Sequence, residues 1–208
     1  QDYTEIGRKD FFTRLKDLPD QTQILLYIHG FNNTGEAHIF PRAEQLQALF
    51  DEAGEPGMVH VVPLIWPCDD DHIAAIMDDY WDDQDAADAS GMTFARFLGK
   101  FEDWRQERAR HQDPCYKRIN ILAHSMGNRV LQNALFKWAQ DHKNGQMPLM
   151  FRNIFMVAAD VENNTLEDGK PGCFIPDAAR NVVVYYAKDD FAMPASKLAN
   201  LRNKTTSR

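Results

Sequence analysis

A chain of 208 residues, 44% of them hydrophobic, can bury the core of a single domain. Its formal charge of −8 is unevenly spread: between Arg42 and Arg96 there is no Lys or Arg, while 13 carboxylates fall in that window. Such a surface repels phosphate backbones and argues against nucleic acid as a partner. No apolar run is long enough for a transmembrane segment and none has the layout of a secretory signal. Cys68, Cys115 and Cys173 are too few and too scattered for a disulfide framework or a zinc site. They suit reduced thiols, so the expected location is cytoplasmic. The chain opens at Gln1 rather than Met, and the expectation is a piece of a longer gene product.

Residues 8–18 read as a short amphipathic helix. The run QILLYIH (23–29), stopped by Gly30, fits a buried strand. Residues 35–54 read as a helix with Ala43, Leu46, Leu49 and Phe50 on one face, and Pro41 marks a late start or a kink. MVHVVPLIW (58–66) is a valine-rich second strand ended by Pro67. An acidic loop or small cap segment is expected over 67–90, after which Ser90 can cap a helix over about 91–110. The apolar stripe of that helix is Phe94, Phe97, Leu98, Phe101 and Trp104.

YKRINILAH (116–124) is a third strand, and NRVLQNALFKWAQDH (128–142) a helix burying Val130, Leu131, Ala134, Leu135 and Trp138. FRNIFMVAAD (151–160) and NVVVYYAKDD (181–190) are the fourth and fifth strands, and ASKLANL (195–201) starts another helix. Strands alternate with helical patterns throughout, which implies an open, mostly parallel α/β sheet with helices on both faces. In such sheets chemistry gathers at the carboxyl ends of the strands.

At one of those ends the chain turns from strand to helix through Ala123-His124-Ser125-Met126-Gly127. A sharp turn of this kind strains its central residue and demands small neighbours two positions either side, which Ala123 and Gly127 supply. Ser125 is the candidate nucleophile; the bland alternative is a helix cap. His124, its neighbour, points elsewhere on such a turn and is expected to pack at the strand end. Acyl transfer needs two amide donors aimed at the developing oxyanion. The Met126 N–H would be one, and the loop YIHGFNNTGE (27–36) offers Phe31 as the other. Gly30 lets that backbone turn closely, with Asn32 and Asn33 able to brace the loop. The candidate acids are Asp189 and Asp190 after the fifth strand and Asp160 after the fourth.

In this order HGFNNT, LIWP, Tyr80 in the acidic stretch, AHSMGNRVL, AAD and YYAKDDFAMPAS resemble a largely uncharacterised family of bacterial α/β-hydrolases. That family is known as a domain of unknown function with a predicted serine-hydrolase triad. The resemblance covers most of residues 20–200. It implies Ser125 as nucleophile, Asp190 as acid with Asp160 as the alternative, and Phe31 and Met126 as oxyanion donors. It also implies that the five strands are the third to seventh of the usual eight, the last being absent here.

The family order is Ser, Asp, His. None of the seven histidines (His29, His38, His60, His72, His111, His124, His142) follows Asp160. The leading expectation is a single domain over 1–208, incomplete at its carboxyl end, with the histidine beyond Arg208. The alternatives are a histidine from elsewhere, such as His38 or His72, or a non-catalytic relative that keeps the fold and binds.

The clustered aspartates match no calcium-loop spacing, so they read as a solvated face rather than a metal site. Tyr80 and Trp81 among them could line an acyl pocket, face a partner or anchor the segment. No cofactor is expected. The expected activity is hydrolysis of a small-molecule ester or thioester by a Ser-Asp-His triad, set against a binding or scaffold module on the same fold.

Overall fold

The computed structural model describes residues 4–31, 33–68, 76–142 and 144–186. In chain order these form α1 (Arg8–Asp17), β1 (Gln23–Ile28), a π-helical turn (Gly35–Ile39) leading into α2 (Phe40–Ala53), β2 (Val59–Leu64), α3 (Ile76–Arg110), β3 (Ile119–His124), α4 (Gly127–His142), β4 (Phe151–Val157), α5 (Ile175–Ala178) and β5 (Ala179–Tyr185). The expected helix over 195–201 lies outside the described residues, as do Asp189 and Asp190.

The strands form one sheet in the order β2-β1-β3-β4-β5, and every neighbouring pair is parallel. This is the α/β architecture that the alternation of strand and helix patterns predicts. β1 lies inside the sheet and is buried on both faces. Ile24, Leu26 and Ile28 join a large core with Phe12 of α1, Leu98 and Phe101 of α3, and Leu131, Leu135 and Trp138 of α4. Leu25 and Tyr27, pointing the other way, pack with Ala43 of α2 and Val61 of β2. Continuous burial explains why the strand reads as an unbroken apolar run.

The apolar faces expected of α3 and α4 pack as the sequence suggests. Val130, Leu131, Ala134, Leu135 and Trp138 are all buried, and Phe94, Leu98 and Phe101 lie in the core with Phe97 and Trp104 packed against it. On α2, Leu49 departs from expectation and is exposed, leaving Ala43, Leu46 and Phe50 to make the contact. Pro41 stands in the first turn of α2, where it removes no helical hydrogen bond, and the chain before it winds as the π-helical turn.

The main difference lies in α3. The helix runs unbroken through residues expected to be acidic loop, and Ser90 sits inside it rather than at its start. The reason is packing against α4. A Cβ on Gly91 would come within 2.6 Å of the Asn133 Cβ, and Ala87 and Ser90 are buried. The small residues that read as a cap instead let two helices approach closely. Asp88 fixes the level of the two helices by receiving both Arg129 Nε (2.7 Å) and Nη2 (2.8 Å), with Asn133 Nδ2 donating to the same carboxylate. Ile76 lies 12 residues before Asp88, about 18 Å along a helix. Arg129 belongs to the first turn of α4, at the carboxyl edge of the sheet. The amino-terminal part of α3 therefore extends past that edge.

Near the opposite edge, four side-chain amides link four strands. Asn120 Nδ2 donates to Gln23 Oε1 (3.3 Å), Asn153 Nδ2 to Asn120 Oδ1 (2.7 Å), and Asn181 Nδ2 to Asn153 Oδ1 (2.9 Å). Buried Lys117 donates to the carbonyls of Leu18 (2.5 Å) and Pro19 (2.9 Å), tying the end of α1 to the chain entering β3.

Candidate active site

β3 delivers the chain to the carboxyl edge at His124, and α4 starts at Gly127. Between them Ser125 has φ of +50°, the left-handed region that an L-residue enters at a cost of about 1–3 kcal/mol. Several contacts hold it there. Ser125 N–H donates to Val157 O (2.9 Å) at the end of β4, and Asp160 N–H donates to Ser125 O (3.3 Å). Ala158 is also left-handed, with φ of +45°, and its N–H donates to Tyr185 O (2.8 Å) at the end of β5. The ends of three strands are thus laced together beneath the serine.

Two glycine contacts set the surroundings. A Cβ on Gly127 would stand 2.5 Å from His29 O and 2.7 Å from Ile28 O, so the start of α4 presses directly on β1. A Cβ on Gly30 would stand 2.9 Å from both the Ser125 Cβ and His124 Nδ1. The loop after β1 therefore lies against the serine turn, and both close approaches require glycine.

That loop is braced from three sides. Buried Asn33 donates through Nδ2 to Gly30 O (3.0 Å) and Phe31 O (2.6 Å), and Arg42 of α2 donates to Asn33 Oδ1. His29 is fully buried and stacks on Trp66, with ring centroids 5.1 Å apart and ring planes nearly parallel. Trp66 N–H donates to His29 Nε2 (3.1 Å), which fixes the tautomer, so Nδ1–H donates to Gly30 O (2.9 Å). Trp66 Nε1–H returns to His29 O (2.9 Å). Burial pushes the His29 pKa down to about 4, with the two backbone hydrogen bonds opposing the shift. His29 is therefore neutral at physiological pH, with both ring nitrogens engaged.

Asn128 lies below the turn with no exposed surface. Its Nδ2 donates to Ala123 O and Ser125 O (both 3.0 Å) and reaches Val157 O at 3.5 Å. Among the described residues its buried Oδ1 receives no hydrogen bond. Sequence pattern does not single out Asn128. Its signal is an amide directly after the serine turn, where a helix would accept almost any polar residue.

Of the residues expected to form the site, the structure brings together Ser125, Met126, the Gly30–Phe31 loop and Asp160. Met126 is fully buried at the start of α4, and among the described residues its N–H donates to no acceptor. Phe31 is half-buried and packs on the core. Asp160 lies against Ser125 through its backbone. Asp190 and Asn32 lie outside the described residues, as does His72. Among the described residues no histidine hydrogen-bonds Ser125 Oγ. His38 Nδ1 is engaged by Thr34, receiving its N–H at 3.3 Å. No group of three or more His, Cys, Asp or Glu among the described residues could hold a metal ion, and no helix among them is long and apolar enough to cross a membrane.

A five-stranded parallel sheet in this order, with a left-handed serine between the middle strand and the following helix, defines a domain of the α/β-hydrolase class. The family described as "Alpha/beta hydrolase of unknown function (DUF900)" matches residues 5–204, and the chain belongs to it. No curated protein and no solved structure matches the chain.

Proposed function

We propose that the protein is a serine hydrolase acting on small-molecule esters or thioesters. Ser125 Oγ attacks the acyl carbon while a histidine takes its proton. The carbonyl oxygen gains the charge, and the Met126 and Phe31 amides stabilise it. Collapse of the tetrahedral intermediate expels the alkoxide or thiolate, which takes the proton from the imidazolium. Water, activated by the same histidine, then releases the acid from Ser125. Asp190 orients the histidine, with Asp160 as the alternative acid.

The observation that carries this reading is the left-handed Ser125 with the Gly30 loop packed against its Cβ. Such strain persists only where the surroundings enforce it, and a helix cap requires none of it. The amino-terminal part of α3, which extends past the carboxyl edge of the sheet, serves as a cap on the side of the serine turn. Its aspartates favour neutral or cationic substrates over carboxylate-bearing ones.

A fluorophosphonate probe should label the folded protein at Ser125, with labelling lost in Ser125→Ala. Absence of labelling in a folded sample carrying the whole gene product would sink the hydrolase reading and favour a binding module.

A further inference from the structure

We infer that a second binding site, for a small organic anion with a flat apolar body, lies between α1 and the carboxyl-terminal half of α3. A cleft of about 450 Å³ opens there, within the range of small-molecule sites. Both helices lead into the amino ends of strands, so the cleft is remote from the serine turn. The inference does not rest on the hydrolase reading.

Charge is the first argument. The chain carries 31 Asp and Glu against 23 Lys and Arg. The cleft inverts that balance: Arg8, Lys9, Lys100 and Arg108 line it with His111, against only Asp103 and Glu107. Cations from two separate helices converge on one concavity, where they concentrate positive potential.

Arg108 supplies the second argument. Its Nη2 lies 3.3 Å from Asp113 Oδ2, but Asp113 is shared with Lys16 at 2.5 Å. Arg108 Nε is buried and, among the described residues, finds no acceptor. An unmet charged donor costs free energy, and an anion in the cleft would meet it.

The third is the apolar lining. Phe12 and Trp104 both line the cleft, with ring centroids 5.2 Å apart and a 20° interplanar angle. Trp104, backed by buried Phe12, offers the aromatic surface to a flat body, while Asp103 and Glu107 can accept from a hydroxyl or amine on the ligand.

Isothermal titration calorimetry tests this with three probes: 2-naphthoate, its neutral counterpart 2-naphthylmethanol, and acetate. 2-Naphthoate should bind at least tenfold tighter than either of the others, and more weakly as salt is raised. Arg108→Gln, the double variant Lys9→Gln/Lys100→Gln and Trp104→Leu should each raise Kd about tenfold or more, with circular dichroism unchanged. Lys9 and Lys100 are exposed, so the double variant keeps the test open if Arg108→Gln fails to fold. Equal binding of the neutral probe, no detectable binding of 2-naphthoate, or an unchanged Kd in the folded double variant would overturn the proposal. The last result would also expose a naphthoate seated at Ser125 instead.

Discussion

A methyl group on Gly30 would stand 2.9 Å from the Cβ of Ser125. The two residues are far apart in sequence, yet neither can shift without displacing the other. Gly30→Ala must push away either the serine turn or the loop that carries Phe31. Fluorophosphonate labelling should fall at least tenfold, and stability by about 1–3 kcal/mol. Labelling rates alongside denaturant melts would separate the two effects. Labelling at the native rate would show that this contact does not set the site.

Asn128 holds three turn carbonyls from beneath. Asn128→Ala removes a buried donor shared among those carbonyls, although Ser125 O keeps the Asp160 N–H and Val157 O keeps the Ser125 N–H, at a cost of about 1–3 kcal/mol. Asn128→Asp should cost more, because it turns a carboxylate oxygen toward carbonyl oxygens. Chemical denaturation of the two variants checks the order.

His29 makes stability depend on pH in a stated direction. Its folded pKa, about 4, lies below the unfolded value of 6.5. The unfolded chain therefore binds the proton first as pH falls. The contribution is complete above about pH 6.5, declines between 6.5 and 4, and changes no further below that. The full swing is of order 3 kcal/mol. His29→Gln, which keeps a donor and an acceptor but cannot titrate, should flatten this part of the profile. The readout is the difference between the two proteins at pH 7, 5.5 and 4.5, since carboxylates affect both alike. Parallel profiles would refute the assignment.

The α3–α4 contact sets close packing against an exposed ion pair. Asp88→Ala removes a bidentate partner of Arg129, but at partial exposure the loss should stay within about 1 kcal/mol and shrink with salt. Gly91→Val places side-chain atoms where Asn133 already stands. It should cost more than about 2 kcal/mol despite the poor helix propensity of glycine. Thermal melts of both variants at two ionic strengths would show which contact matters more.

The sheet was legible in the sequence because its strands are short apolar runs bounded by turn residues, and burial of β1 on both faces produces such a run. The faces of α4 were legible because one periodic stripe meets one core. The continuity of α3 was not. Ala87, Ser90 and Gly91 are small for a reason that lies on α4, and sequence pattern cannot distinguish a helix end from a helix–helix contact. Ser125, Gly30 and the brace from Asn33 could be named from local spacing. Asn128 and the His29–Trp66 stack could not, since each joins segments whose approach depends on the completed sheet.

The amides of Gln23, Asn120, Asn153 and Asn181 bear on assembly rather than catalysis. In a parallel sheet of interchangeable Val, Ile and Leu, apolar burial alone tolerates a strand displaced by two residues, because the same face still points inward. The amides remove that tolerance. A two-residue slip of β4 against β3 would separate Asn153 from Asn120, leaving both to find other partners in a partly buried setting. The row thus works as an alignment key, carried at one edge of the sheet. It lets the other edge, where Ser125 N–H must meet Val157 O, form at the right height.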